Sequence, residues 1–226
     1  ENPRHSIKAM YQVETNFPGM EMQFINEDNF LLSFKRGVAD KILYYEMFKL
    51  EHYRDWGNGF STMLNFKNMV QEPGGTLYFR FSDDREINSI TSSEIGITLR
   101  FAPNEKFYQG LSYRTPIITR HPIFQLSYTQ SIKGLFGADY EYGKANFNVF
   151  KRVYLSPIGF MDLELEASKI LGSGVPFPLL TVHRANQTYS YQLLSYNLMN
   201  FLEFVSDQHV SLPSSISMAS FSTKYL

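Results

Sequence analysis

Residues 161–168 read MDLELEAS, and their side chains alternate strictly between apolar and polar. Successive side chains of a β-strand point to opposite faces, so this stretch would present one apolar face and one polar face. The two sets are Met161, Leu163, Leu165 and Ala167, and Asp162, Glu164, Glu166 and Ser168. The stretch therefore predicts a strand between two different environments.

The same period of two recurs along the chain. It predicts strands at residues 6–14, 29–35, 42–53, 60–70, 76–82, 94–101, 124–132 and 144–155, and a short last one at 208–212. The alternating segments amount to about ten strands, and stretches rich in Pro, Gly, Asn and Asp separate them. Turns are expected at residues 72–75, 82–86, 102–105 and 156–159, and a longer loop at 172–178. The pattern predicts an all-β antiparallel fold.

The end of the chain departs from this pattern. Apolar residues from Leu194 to Val205 have a helical spacing, which predicts a short helix or loop insertion near the C-terminus. The serine-rich stretch PSSISMASFSTKYL, residues 213–226, alternates poorly and opens with Pro213, which cannot donate to a strand ladder. We therefore divide the chain into residues 1–212 and a poorly ordered tail at 213–226.

Composition limits the classes of function. The 226 residues suffice for one large domain, and a net charge of −1 argues against a nucleic-acid partner. The absence of cysteine excludes disulfides, thiolate metal sites and a cysteine nucleophile. No apolar run is long enough for a transmembrane helix, although strands that cross a membrane would show no such run.

Alternation alone fits a soluble β-sandwich or barrel as well as a membrane barrel. Several segments exceed the five or six residues typical of soluble strands, and the charged rows suit a water-filled interior. In a membrane barrel, charged side chains face inward and apolar ones face lipid. The expected outward set is Leu77, Phe79, Phe81, Ile95, Ile97, Leu99, Leu163 and Leu165, and the inward set includes Arg80, Arg100, Glu164 and Glu166.

Residues 91–110, 140–189 and 196–212 carry a family resemblance, above all in the pieces LRFAPNE, VPFPLL and NLMNFLEFVSD. They resemble a Gram-negative outer-membrane β-barrel family of unknown function. Its full-length members carry an N-terminal carboxypeptidase-regulatory-like domain, a small β-sandwich, before a large barrel. The resemblance implies that this chain is an antiparallel transmembrane segment of an incomplete barrel. It also implies localisation in the cell outer membrane, with the lipid bilayer and other envelope proteins as partners.

Two groups of polar residues are candidates for function. Candidate lumen-facing residues are Arg80, Arg100, Asp162, Glu164 and Glu166, and a candidate loop cluster is His183, Arg184 and Asn186. The acidic row could serve as paired carboxylates or bind a cation, or it could be a solvated lumen wall. No GxSxG, HExxH or phosphate-loop motif is present, so no catalytic residue, cofactor or metal site is predicted.

The functional expectation is a non-catalytic outer-membrane barrel protein in surface transport or envelope biogenesis. One alternative is a soluble β-sandwich or barrel that acts as a binding module. A second alternative is an outer-membrane barrel hydrolase, which activity on lipid esters would support.

Overall fold

The structure, a computed structural model, describes residues 5–18, 40–80, 86–110, 114–117, 121–156, 159–186, 195–200, 202–212 and 214–218. Regular structure in these ranges consists of β-strands and two 3-10 turns, Leu135–Gly137 and Phe177–Leu179, which confirms the all-β class. The strands are β1 (His5–Asn16), β2 (Lys41–Asp55), β3 (Phe60–Gly75), β4 (Phe79–Arg80), β5 (Glu86–Ile87), β6 (Ile90–Phe101), β7 (Lys106–Gln109), β8 (Arg114–Ile117), β9 (Ile123–Ser131), β10 (Tyr142–Leu155), β11 (Gly159–Leu171), β12 (Thr181–Val182), β13 (Val205–Ser206), β14 (Gln208–Ser211) and β15 (Ser214–Met218).

The long strands form one antiparallel sheet of nine strands in the order β1-β2-β3-β6-β9-β10-β11-β14, with β15 also paired to β11. β14 pairs with residues 166–169 of β11 and β15 with residues 159–163, so together they make one interrupted edge strand. The hairpins β4–β5, β7–β8 and β12–β13 lie in the connections. Among the described residues the two edges are not paired with each other, so the sheet is open.

One face of this sheet is mainly apolar, although the same registers place Glu46, Lys151 and Lys169 on it. The registers place Leu64 of β3, Ile97 of β6 and Tyr128 of β9 side by side, and Leu126 beside Phe147 of β10. Large side chains on this face remain exposed. They are Ile7, Tyr11, Val13, Tyr44, Phe48, Leu50, Leu64, Ile95, Ile97, Phe101, Phe124, Leu126, Tyr128, Phe147, Leu165, Leu171 and Val210. We call this surface the apolar face.

The opposite surface, the polar face, is built by the alternate residues of the same strands. It includes Lys49 and Glu51 of β2, Lys67 of β3, Glu94 and Arg100 of β6, Asn146, Asn148 and Arg152 of β10, and Asp162, Glu164 and Glu166 of β11. The predicted opposition of Ile95, Ile97, Leu99, Leu163 and Leu165 to Arg100, Glu164 and Glu166 is confirmed as a division between two faces.

A compact apolar core covers the polar face at one end of the sheet. We call it the capped end, where β2 begins at Lys41 and β11 ends at Leu171. Two connections fold inward there and bring Leu77, Phe79 and Leu179 onto the sheet. Their partners from the strands are Leu43, Ile90, Tyr142 and Ile170. Phe79 is 1% exposed and packs edge to face on Phe177, with ring centroids 5.7 Å apart.

This core corrects part of the sequence interpretation. The described part of this expected strand, residues 76–80, is not a long strand, because within it only Phe79–Arg80 pair, with β5. Leu77 and Phe79 therefore do not face outward but are buried in the core, and Phe81 lies outside the described residues. Apolar residues alternate in this segment because the connection folds back and buries Leu77 and Phe79 in the core. The expected turn at residues 72–75 is likewise wrong, since these residues finish β3. Gly75, the last residue of β3, has a φ of +65°, and a Cβ there would collide with the carbonyl oxygen of Asp40.

The end of the chain also differs from expectation. Of the described residues between 195 and 205, none is helical, so the insertion is a loop with turns rather than a helix. Ser214–Met218 form β15, where we expected a poorly ordered tail. A strand forms there because the edge of β11 offers unpaired backbone groups, which overrides weak alternation. The predicted strand at residues 29–35 lies outside the described residues.

Of the residues that the structure describes, none belongs to a helix with the length and hydropathy of a membrane span.

Candidate functional site

Charged side chains on the polar face are held in cross-strand pairs. Arg152 and Asp162 stand opposite each other in the β10–β11 register and share two hydrogen bonds of 2.6 Å. Lys67 of β3 contacts Glu94 of β6 at 2.7 Å. A two-fold guanidinium–carboxylate contact fixes the orientation of both side chains. The polar face is thus a wall whose charges largely compensate one another.

The two arginines that were predicted to face the lumen lie in different places. Arg100 lies on the polar face near the uncapped end and binds Glu105 through hydrogen bonds of 2.6 and 2.7 Å. Arg80 lies in β4, off the sheet, where its exposed guanidinium contacts Glu86 at 3.1 Å. The placement of Arg80 on the inner wall is therefore wrong, because its segment is a connection and not a strand of the sheet.

The connection between β11 and β14 folds back over the polar face, and we call its described residues 175–186, 195–200 and 202–206 the roof. β12 pairs with β13, and Ala185 bridges Tyr196. The backbone nitrogen of Tyr196 donates to the carbonyl oxygen of Arg184 at 2.9 Å. These backbone bonds turn residues 183–186 toward β11, although this segment forms no long strand.

A cavity of about 700 Å³ lies between the roof and the polar face. Its floor consists of polar residues from β9, β10, β11 and β14, among them Gln125, Asn148 and Glu164. From the roof come Thr181, His183, Arg184 and Tyr196. Hydroxyl, amide, carboxylate, guanidinium and imidazole groups thus surround one space, which suits a ligand bound by hydrogen bonds.

Two carboxylates of β11 face this cavity in different surroundings. Glu166 accepts a short hydrogen bond from the Arg184 guanidinium, and the Ser211 hydroxyl donates to it at 3.3 Å. Glu164 accepts a hydrogen bond of 2.6 Å from the side-chain amide of Asn148. Arg184 of the roof thus binds Glu166 directly, whereas the neutral side-chain amide of Asn148 contacts Glu164.

His183 lies at the centre of the roof contacts. Its Nε2 is 2.9 Å from the Ser206 hydroxyl, and its ring meets that of His209 edge to face at 4.9 Å. No described carboxylate hydrogen-bonds His183, so the pair lacks the acid that orients the imidazole in a serine–histidine–acid triad. Within the described ranges, no group of three His, Cys, Asp or Glu side chains could hold a metal ion.

The structure thus brings together Glu164, Glu166, His183 and Arg184 around one cavity. Asp162 pairs with Arg152 beside it, whereas Asn186 is buried and donates to the Asn197 side chain at 2.7 Å, which is a structural role within the roof. Sequence reasoning did not single out Asn148, Tyr196 and His209 as lining residues. The alternation within β10 places Asn148 on the polar face, but no local pattern in the sequence indicates that Tyr196 or His209 lines a cavity.

Comparison with known proteins gives one match. Residues 22–209 match the family model described as the C-terminal domain of a family of unknown function (DUF5686). No curated protein and no solved structure matches the chain.

Proposed function

We propose that this chain, which belongs to the DUF5686 family of unknown function through that family's C-terminal domain, forms part of a β-barrel wall in the cell outer membrane. The apolar face contacts lipid and the polar face lines a water-filled interior. The protein is not an enzyme. Its partners are the bilayer and other envelope proteins, and its role is surface transport or envelope biogenesis.

The observation that carries this proposal is the exposed apolar face. It spans the sheet from β1 to β14, and in the described part of the chain its large side chains stay exposed. Soluble monomers rarely expose a contiguous apolar patch beyond about 300–600 Å². A bilayer is a partner that matches a broad, continuous face of this kind.

The unequal distribution of charge supports the same orientation, since most charged residues of the sheet lie on the polar face and few, such as Glu46 and Lys151, on the apolar face. A Lys or Arg at the midplane of the lipid face costs about 2–4 kcal/mol, so a membrane barrel keeps such residues inside. Here the ion pairs of Lys67, Arg100 and Arg152 lie on the polar face. Reversing the sheet would place those pairs in hydrocarbon.

Strand length is a second support. β1, β2, β3, β6, β10 and β11 contain between 12 and 16 residues each. Crossing the hydrocarbon layer takes about 9–11 tilted residues, whereas soluble strands average about five or six. The long strands therefore span a bilayer with residues to spare at each end.

Extraction of the full-length protein from its native envelope tests the proposal. We expect it to stay with the outer-membrane fraction through high-salt and alkaline carbonate washes and to dissolve only in detergent. Apolar contact with lipid resists both washes, whereas contacts between charged surfaces do not. Release by carbonate would overturn the membrane assignment and favour the soluble binding module.

A further inference from the structure

The lining of the cavity beneath the roof contains more carboxylates than guanidinium groups. Of its described lining residues, two carry carboxylates, Glu164 and Glu166, and one carries a guanidinium, Arg184. Arg184 forms a hydrogen bond and an ion pair with Glu166. Glu164 is therefore the carboxylate of the cavity that has no ion pair among the described residues, and its hydrogen bond comes from the neutral amide of Asn148.

Arg184 attracts Glu164 electrostatically but forms its ion pair with Glu166, and the other neighbouring cations have partners of their own. Arg152, on the next pair of positions along β10 and β11, is bound bidentately by Asp162. Lys144 lies on the polar face two positions from Asn146 but does not line the cavity, and it interacts with Glu94 and with the like charge of Lys67. A cation in direct contact with Glu164 would therefore come from outside the described chain.

An aromatic ring lies in the same cavity. Tyr196 lines it from the roof and is 47% exposed, while His183 packs edge to face on its ring at 6.0 Å. Aromatic faces attract ammonium groups because the ring carries negative charge density above its plane. A carboxylate without an ion pair and an exposed tyrosine ring in one cavity are complementary to an organic cation.

We propose that this cavity binds a small organic ammonium ligand, whose N–H groups donate to Glu164 and whose cation contacts the ring of Tyr196. Asn148 and Gln125 provide amide groups for the ligand's remaining polar atoms. The volume of about 700 Å³ falls within the range of about 300–1,000 Å³ common for small-molecule sites. This inference rests on the proposed function in placing the cavity on the aqueous interior, and it names a ligand class for that interior.

Calorimetric titration of the full-length protein, folded in detergent micelles, tests this inference. The probe is 1,4-diaminobutane, and the matched neutral compound is butane-1,4-diol. We expect saturable binding of the diamine and none of the diol. Glu164→Gln keeps the shape of the side chain and removes its charge, and it should weaken diamine binding about tenfold or more, as loss of a charged hydrogen bond does.

Two further variants separate binding from folding. Glu51→Gln changes a carboxylate on the polar face of β2, outside the cavity, and should leave binding unchanged. Tyr196→Leu alters the exposed ring without touching the sheet and should weaken binding about two- to fivefold, the usual effect of an exposed cation–π contact.

The outcomes are separable from those of the membrane test. Equal binding of diol and diamine, or full binding by Glu164→Gln, would overturn the ligand class, as would the absence of saturation at 10 mM diamine, a concentration about tenfold above a millimolar Kd. A protein that resists carbonate but does not bind the diamine would leave the proposed function standing without this ligand. One that binds the diamine but is released by carbonate would refute the membrane assignment alone.

Discussion

Replacing Ile97 by arginine distinguishes a lipid-facing surface from a water-facing one. Ile97 lies on the apolar face of β6, between Leu64 of β3 and Tyr128 of β9, and is 40% exposed. If that exposure were to water, the arginine would be a surface substitution worth within about 0.5 kcal/mol. The two environments therefore predict different costs for one substitution.

The expected cost follows from the depth of Ile97 in the bilayer. It lies four residues before Phe101, where β6 ends, which is about 14 Å along a strand rising roughly 3.4 Å per residue. A tilt of about 40° reduces this to roughly 10–11 Å of depth, close to the middle of an apolar band about 25 Å tall. Arginine at the midplane of a membrane barrel costs about 2–4 kcal/mol.

Equilibrium unfolding by guanidinium chloride in lipid vesicles measures this cost. The matched control is Thr98→Arg, since the next residue of β6 lies on the polar face. We expect Ile97→Arg to lower the free energy of unfolding by about 2–4 kcal/mol and Thr98→Arg to lower it by less than about 1 kcal/mol. Equal small effects of the two substitutions, or a larger loss in the control, would show that Ile97 does not face lipid.

Three further outcomes follow from the contacts described above. Phe79→Ala should cost about 3–5 kcal/mol in the core of the capped end, seen as faster amide exchange in residues 76–80 and 175–180, and unchanged exchange would contradict that core. Arg152→Ala leaves Asp162 without its partner in a partly buried setting, and we expect a loss of about 1–2 kcal/mol in unfolding free energy; a loss equal to that of Arg80→Ala would show that the pair contributes no more than an exposed ion pair. His183→Ala should change no hydrolysis of esters, glycosides or peptides by the purified protein, and an activity lost in this variant would establish the hydrolase alternative.

Much of the sheet could be predicted because its two faces contact different surroundings. When one face is apolar and the other charged, every second residue is constrained, as in residues 161–168 of β11. The same constraint made β1, β2, β3, β6, β9 and β10 recognisable within a few residues of their ends. Residues 76–82 show the limit, because Leu77 and Phe79 alternate for a different reason, the burial of a connection against Ile90 and Tyr142.

The candidate site was predictable only in pieces. The acidic row of β11 and the HRANQ segment each stand out in the sequence, but their contact depends on a connection that turns back over the polar face. Bonds that cross many residues, such as the one between Ile170 nitrogen and Asp207 oxygen at 2.7 Å, fix that turn. Such pairing leaves no periodic signal, and β14 is too short to show that His209 would face the cavity.

Oxygen accessibility along β3 tests most directly whether the apolar face contacts lipid. The chain has no cysteine, so single cysteines at positions 62–69 can each carry a nitroxide label without background reaction. β3 is chosen because its residues do not line the cavity. In the full-length protein reconstituted in vesicles, collisions with oxygen should be frequent at even positions, and collisions with a water-soluble nickel complex at odd ones. If labels at the even positions were shielded from both reagents, as in a closed protein core, the apolar face would not contact lipid.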